Sequence, residues 1–154
     1  MSGLEIRCLA AGMEESALDL LRAVAGEETG RFFTPHPFTR DAIVALASHP
    51  GKDLYYLLVD GSRSLAYGLL RGWNDGYAIP SLGLAVSPSA RRQGYGVLMT
   101  HFLHAAARQE DAGYRQREED EPDECRNSRI PLERVAQLGG GCVTMFGRRH
   151  FLSG

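Results

Sequence analysis

Ser81 to Arg108 reads SLGLAVSPSARRQGYGVLMTHFLHAAAR, and the rest of the chain is organised around it. Leu82 to Val86 is a short apolar run suited to a buried strand. Pro88 stops it, and Arg91-Arg92-Gln93-Gly94-Tyr95-Gly96 makes a basic bend punctuated by glycine. Beyond the bend Met99, Phe102, Leu103 and Ala106 recur at helical spacing, with His101, His104 and Arg108 on the other face. Strand, glycine-rich turn and helix N-terminus form an anion-binding arrangement, because unpaired amides and the positive end of the helix dipole converge there. It is not a dinucleotide G-x-G-x-x-G, since G-x-G stands alone, nor a Walker loop, since no Gly-Lys-Ser/Thr follows. The plainer alternative is an ordinary strand-to-helix turn with surface arginines.

Working outward, Leu4, Ile6 and Cys8 alternate with Glu5 and Arg7, the pattern of a half-buried strand that Gly12 ends. Glu14 and Glu15 suit a first helical turn. Ala17, Leu20, Leu21 and Val24 form its apolar stripe, and Gly26 can close the helix. Arg31 to Phe38 (RFFTPHPF) combines two prolines, which forbid a continuous helix, with three phenylalanines too apolar for a solvated loop. Such a loop folds over a groove as a substrate lid, or plugs the core between two helices. Thr39 caps a second helix carrying Ile43, Leu46 and Ala47, which ends at His49-Pro50-Gly51. Leu54 to Val59, apolar on both faces, predicts a central strand. Asp60-Gly61 turns it into an antiparallel partner at Leu65 to Leu70, where Gly68 implies a bulge or a close approach. Asn74-Asp75-Gly76 is a second turn leading into Tyr77 and the strand at Leu82 to Val86.

The order strand, two helices, three-strand meander, R-x-x-G-x-G turn and helix resembles the GCN5-related N-acetyltransferase (GNAT) family over roughly residues 1–108. The resemblance implies an α+β fold, with a mixed, mostly antiparallel central sheet flanked by helices and an atypical C-terminal part. Leu82 to Val86 is then expected among the most buried segments. It also implies acetyl-coenzyme A as co-substrate, with the pyrophosphate on the turn amides of Arg91, Arg92, Gln93, Gly94, Tyr95 and Gly96. The backbone of Leu84, Ala85 and Val86 would hold the acetyl carbonyl and pantetheine arm. A Cβ at Gly94 or Gly96 is expected to intrude between those amides and the phosphates.

The implied reaction is direct transfer of an acetyl group to the amine of a small molecule, amino sugars included, in a ternary complex. Polarising the thioester carbonyl is oxyanion-type stabilisation, and the amine must lose a proton to a base or a water chain. No carboxylate lies on the strand where a base is expected. The candidates for that proton are His36, held rigidly between prolines, Asp75, and a water relayed by Tyr77 or Ser81. Trp73 and Tyr77 line an acceptor pocket or pack the sheet edge. The rival reading is a non-catalytic or inactivated coenzyme-binding domain that lacks one wall of the active site.

That rival comes from the last third. The family continues with a fifth strand, an Asn-containing turn, a tyrosine helix and a Gly-Phe-type strand. Here Glu118 to Glu124 is an acidic run containing a proline. Pro131 to Leu138 is only weakly helical, and Val143 to Phe146 suits a short strand. No tyrosine maps to the family's thiolate-protonating position. Reading Gln116 to Leu132 one base later, with permissive codon choices, yields a sequence similar to the missing Asn-turn and Tyr-helix. Chance agreement and a divergent tail over 109–154 are the competing accounts.

The chain has 154 residues, 44% of them hydrophobic and 23% charged, which suits one domain with a real core. A net charge of −2 offers no electrostatic reason for a nucleic-acid or anionic-membrane partner. The family resemblance implies a small-molecule amine as partner, and oligomeric state, a homodimer included, is left open. Cys8, Cys125 and Cys142 are scattered, without a C-x-x-C pair, as in a reducing, cytoplasmic compartment. No apolar run is long enough for a membrane span. His101 and His104 have metal-sharing spacing but no third ligand nearby, so no metal is expected.

Overall fold

The computed structural model describes residues 3–28 and 30–114. In chain order these form β1 (Leu4–Cys8), α1 (Glu14–Ala25), α2 (Arg40–Ser48), β2 (Leu54–Asp60), β3 (Arg63–Arg71), β4 (Ser81–Val86) and α3 (Tyr95–Tyr114). One-turn 3-10 segments lie at Gly30–Phe32 and Pro88–Ala90. The strands make one antiparallel sheet in the order β1-β2-β3-β4, so the expected α+β architecture is present.

Alternation along the strands sorts side chains onto two faces. On one, Ile6, Tyr56, Leu58, Ala66 and Leu70 pack against Met99, Phe102 and Leu103 of α3. Met99, Phe102 and Leu103 are almost wholly buried, each contributing roughly 1.5–3 kcal/mol. The Phe102 ring meets Tyr56 edge-on at 4.8 Å between centroids. On the other face Tyr55, Leu57, Tyr67 and Leu69 pack under α1 and α2, against Leu18, Leu21 and Ile43. Both faces of β2 and β3 are therefore covered, which is why their sequences read as continuous apolar runs.

Local signals decide the element ends. Thr39 Oγ1 accepts the Ala42 amide at 3.3 Å, capping α2 as expected. Gly12 and Gly61 take positive φ at the turns that need it. Gly68 is a close-approach glycine and not the bulge. A Cβ there would lie 2.8 Å from Met99 Cε, because α3 crosses β3 at that point. The bulge is at Leu65: pairing shifts between Leu58↔Ala66 and Val59↔Ser64, which puts Leu65 and Ala66 in the same core cluster.

Burial along β4 differs from expectation. Only Ala85 is buried, and Leu82, Gly83, Leu84 and Val86 are half-buried. The reason is position: among the described residues β4 is an edge strand, with β3 on one side only. Helix α3 continues beyond Arg108, where the family resemblance was expected to end, to Tyr114. The remaining expectations for the tail at 109–154, including Cys125, Cys142 and the shifted reading frame, lie outside the described residues. Cys8 is disulfide-bonded, which removes it from the argument for scattered free thiols. Among the described residues no helix is long and apolar enough to cross a membrane.

Candidate active site

The Ser87 amide donates to the Leu65 carbonyl at 2.8 Å, continuing the ladder beyond the Ala66↔Val86 pair. In an antiparallel ladder hydrogen-bonded pairs alternate with non-bonded ones. Residues 81, 83, 85 and 87 therefore bond to β3, while the amides and carbonyls of Leu82, Leu84 and Val86 point to the open edge. Just beyond, Gly94 (φ +84°) and Arg92 (φ +62°) fold the chain back into α3. The Leu98 amide reaches the Gly94 carbonyl at 3.0 Å, which makes Gly94 the helix cap. The amides of Tyr95, Gly96 and Val97 consequently have no acceptor within the helix. Edge and helix N-terminus adjoin, since a Cβ on Gly96 would sit 3.6 Å from Val86 Cγ2 and 3.9 Å from Leu84 Cδ2.

The turn residues are not equivalent. A Cβ on Gly94 would meet open space but in a backbone region that L side chains rarely adopt. The Cβ of a residue replacing Gly96 would point back at β4, not over the amides, contrary to expectation. Arg91 lies 3.4 Å from Glu27 and is partly committed to that pair. Arg92 and Gln93 are exposed, and Tyr95 is half-buried.

On the opposite face of the sheet a second polar group assembles. Tyr67 stands directly across from Ala85, and its hydroxyl lies 2.8 Å from His36 Nε2. His36 Nδ1 is 3.0 Å from the Pro37 carbonyl oxygen, which can only accept. Nδ1 therefore carries the hydrogen, and Nε2 accepts from the Tyr67 O–H. Burial holds His36 below the ordinary histidine range; its bond to Pro37 opposes that effect and the nearby Arg71 charge adds to it. Burial likewise pushes the Tyr67 hydroxyl up. The imidazole makes edge contacts with the rings of Phe38, Tyr55 and Tyr67. Phe33 and Phe38 pack on the core while Phe32 is 64% exposed. The loop is thus a plug, with His36 as its anchor.

Of the other proton-transfer candidates, Asp75 is exposed on its turn and Tyr77 is 67% exposed in the β3–β4 connection. Ser81 is exposed at the start of β4, opposite Arg71. His36, Asp75, Tyr77 and Ser81 do not converge as a hydrogen-bonded group. Trp73 is half-buried against the α3-side core. Asp53 was not singled out by the sequence reasoning. It is buried, and its Oδ1 accepts the amides of Gly72 at 3.0 Å and Asn74 at 3.2 Å, fixing the connection that carries Asp75 and Tyr77. A lone Asp ahead of an apolar strand and a Gly/Asn turn is the signal that would have found it. Tyr67 had one too: a tyrosine inside an apolar strand needs a partner for its hydroxyl. Among the described residues no three His, Cys, Asp or Glu side chains converge on a metal-sized site.

No family model matches the chain, and no curated protein does. Its fold is similar to that of solved acetyltransferase structures. A possible acetyltransferase from Clostridium difficile 630 is 15% identical, with 83% of this chain and 97% of that one covered and a TM-score of 0.54. A Trypanosoma brucei acetyltransferase is 17% identical, with 84% and 99% covered and a TM-score of 0.51. At these identities the likeness concerns the fold.

Proposed function

We propose that the chain is an acetyl-coenzyme A-dependent N-acetyltransferase of the GNAT type, acting on the amine of a small molecule. The observation that carries this reading is the adjacency of two backbone arrays that are unpaired among the described residues: the outward groups of Leu84 and Val86, and the amides of Tyr95, Gly96 and Val97. The first suits an extended pantetheine arm that adds to a strand edge. The second suits the pyrophosphate, with Arg92 contributing charge. In the transfer the amine nitrogen, having lost a proton, attacks the thioester carbonyl; the C–S bond then breaks and the thiolate leaves and is protonated. An amide at the β4 edge would stabilise the oxyanion.

His36 is the best placed of the proton-transfer candidates, bonded to Tyr67 on the face that also carries Ala85, but both of its nitrogens are engaged. Direct use of His36 as a base therefore requires the Tyr67 bond to open. That engagement favours a second reading, coenzyme binding without turnover. Calorimetry with acetyl-coenzyme A, paired with thiol release over a panel of primary amines, tests both. Binding with thiol release supports the transferase, binding without it over a broad panel supports the second reading, and no binding sinks both.

A further inference from the structure

Arg71 ends β3 on the face that carries Tyr67 and Leu69, directly opposite Ser81. It is half-buried, and its Nη1 donates to the Pro35 carbonyl. Among the described residues it makes no other hydrogen bond and no ion pair. A guanidinium carries five N–H donors, and partial burial of one without a counter-ion is unfavourable. Asp53 and Asp75 do not repair this: Asp53 Oδ1 accepts the amides of Gly72 and Asn74, Asp75 is exposed on its turn, and neither is within ion-pair distance of Arg71.

Tyr55 lies on the same face, one residue pair away, opposite Leu69. The charges of Asp53, Arg71 and Asp75 all act on its hydroxyl, although burial is the larger influence. Tyr55 is 4% exposed, and among the described residues its hydroxyl has no hydrogen-bond partner. Among the described residues, a half-buried cation without an ion pair and a hydroxyl without a hydrogen-bond partner thus lie on one face where the loop at Pro35 meets the end of β3.

We infer that Arg71 recognises the acceptor, gripping the carboxylate of an amino-acid-like amine with Tyr55 as a further donor. The free guanidinium edge matches a planar carboxylate in two-point geometry, which an ammonium or a sugar hydroxyl does not use. Running from Ser81 toward Ala85, β4 then leads from the anion to the edge where the acetyl group would lie. The inference rests on the transferase reading for its catalytic meaning, but binding can be measured without catalysis.

The experiment is calorimetric titration of the full chain with matched pairs: glycine and glycinamide, β-alanine and its amide, lysine and lysinamide, each with and without acetyl-coenzyme A. At least one carboxylate member binds more tightly than its amide by on the order of 10- to 100-fold, the effect of a charge-assisted pair. Arg71→Gln brings the two to near parity, and Arg71→Lys, which keeps the charge and tests folding by its melting curve, falls between. Acetyl-coenzyme A affinity stays constant across the variants. Equal binding of acid and amide by the wild type overturns the inference, as does a preference that survives Arg71→Gln. Failure of acetyl-coenzyme A to bind sinks the transferase reading instead and leaves the amino-acid titration to be scored by itself.

Discussion

Gly94 and Gly96 are two positions apart and answer to different constraints. At Gly94 the φ of +84° is the constraint, so Gly94→Ala destabilises by about 1–2 kcal/mol and distorts the cap that presents the Tyr95–Val97 amides. At Gly96 a Cβ finds ordinary contacts with Val86 and Leu84. Gly96→Ala therefore leaves thermal stability unchanged within error and retains most acetyl-coenzyme A affinity, whereas Gly94→Ala loses both. Equal losses at the two positions in melting and calorimetry would refute this division. His36 allows a second test at the same scale. Its folded pKa is lowered from 6.5, so above about 6.5 its docking contributes in full, and as pH falls the unfolded chain takes up a proton the fold resists. The His36 contribution to stability thus declines with acidification toward the lowered folded value. Tyr67→Phe leaves Nε2 without a donor, costs about 1–3 kcal/mol near neutral pH, and flattens the His36 part of that dependence. Urea midpoints at about pH 7.5 and about pH 5.5, wild type against His36→Asn, measure it; His104, also lowered by burial, contributes to the dependence that persists in both proteins.

Elements are held in register by glycines whose neighbours differ in kind. Gly30 lies so close under α1 that a Cβ would sit 1.6 Å from the Val24 carbonyl oxygen, a backbone obstacle that cannot rotate away. At Gly68 the obstacles are side-chain tips, Met99 Cε at 2.8 Å and Leu103 Cδ1 at 3.0 Å, and such end groups can shift where a backbone carbonyl cannot. Gly30→Ala is accordingly the more destabilising of the two, at or beyond the top of the ~1–3 kcal/mol range for overpacking, and Gly68→Ala lies at its lower end. Chemical denaturation of both variants decides, and the reverse order would show that α3, not α1, is the rigid partner. Element by element, much was legible in the sequence because the causes are local. Alternation at Leu4 to Cys8, the Thr39 cap and the glycine at Asp60-Gly61 each act within a few residues. The Leu65 bulge, the edge position of β4 and the docking of His36 on Tyr67 depend on residues distant in the chain, and no local pattern encodes them. The same holds for the site. The turn at Arg91 to Gly96 was readable as a candidate anion site from its own residues, but Arg71 became a candidate only once the sheet set it against Pro35 and Ser81.

For the molecule as a whole, the sheet divides into a closed part and an open part. β2 and β3 are buried on both faces and paired on both edges, so their amides should open only with global unfolding. β4 contributes its outward amides at Leu82, Leu84 and Val86 to an edge that is unpaired among the described residues, and the first amides of α3 are uncommitted as well. A ligand bound along that edge and over the helix N-terminus should protect those amides specifically, and should stabilise the whole fold by about 2.7 kcal/mol at a hundredfold excess over its Kd. Hydrogen exchange of the full chain, with and without acetyl-coenzyme A, reads both effects at once. The expected map shows new protection at Leu84, Val86, Tyr95, Gly96 and Val97, little local change at Leu57 or Tyr67 beyond the global gain, and none specific to β1 on the far edge. Coenzyme A lacking the acetyl group should protect the helix amides equally, because the phosphates are unchanged, and should protect the β4 edge less if an amide there holds the acetyl carbonyl. Protection concentrated on β1, or confined to the Ser16–Ser64 side of the sheet, where a cavity of about 310 Å³ is lined by Asp19, Arg63 and Ser87, would move the coenzyme site off the β4–α3 junction.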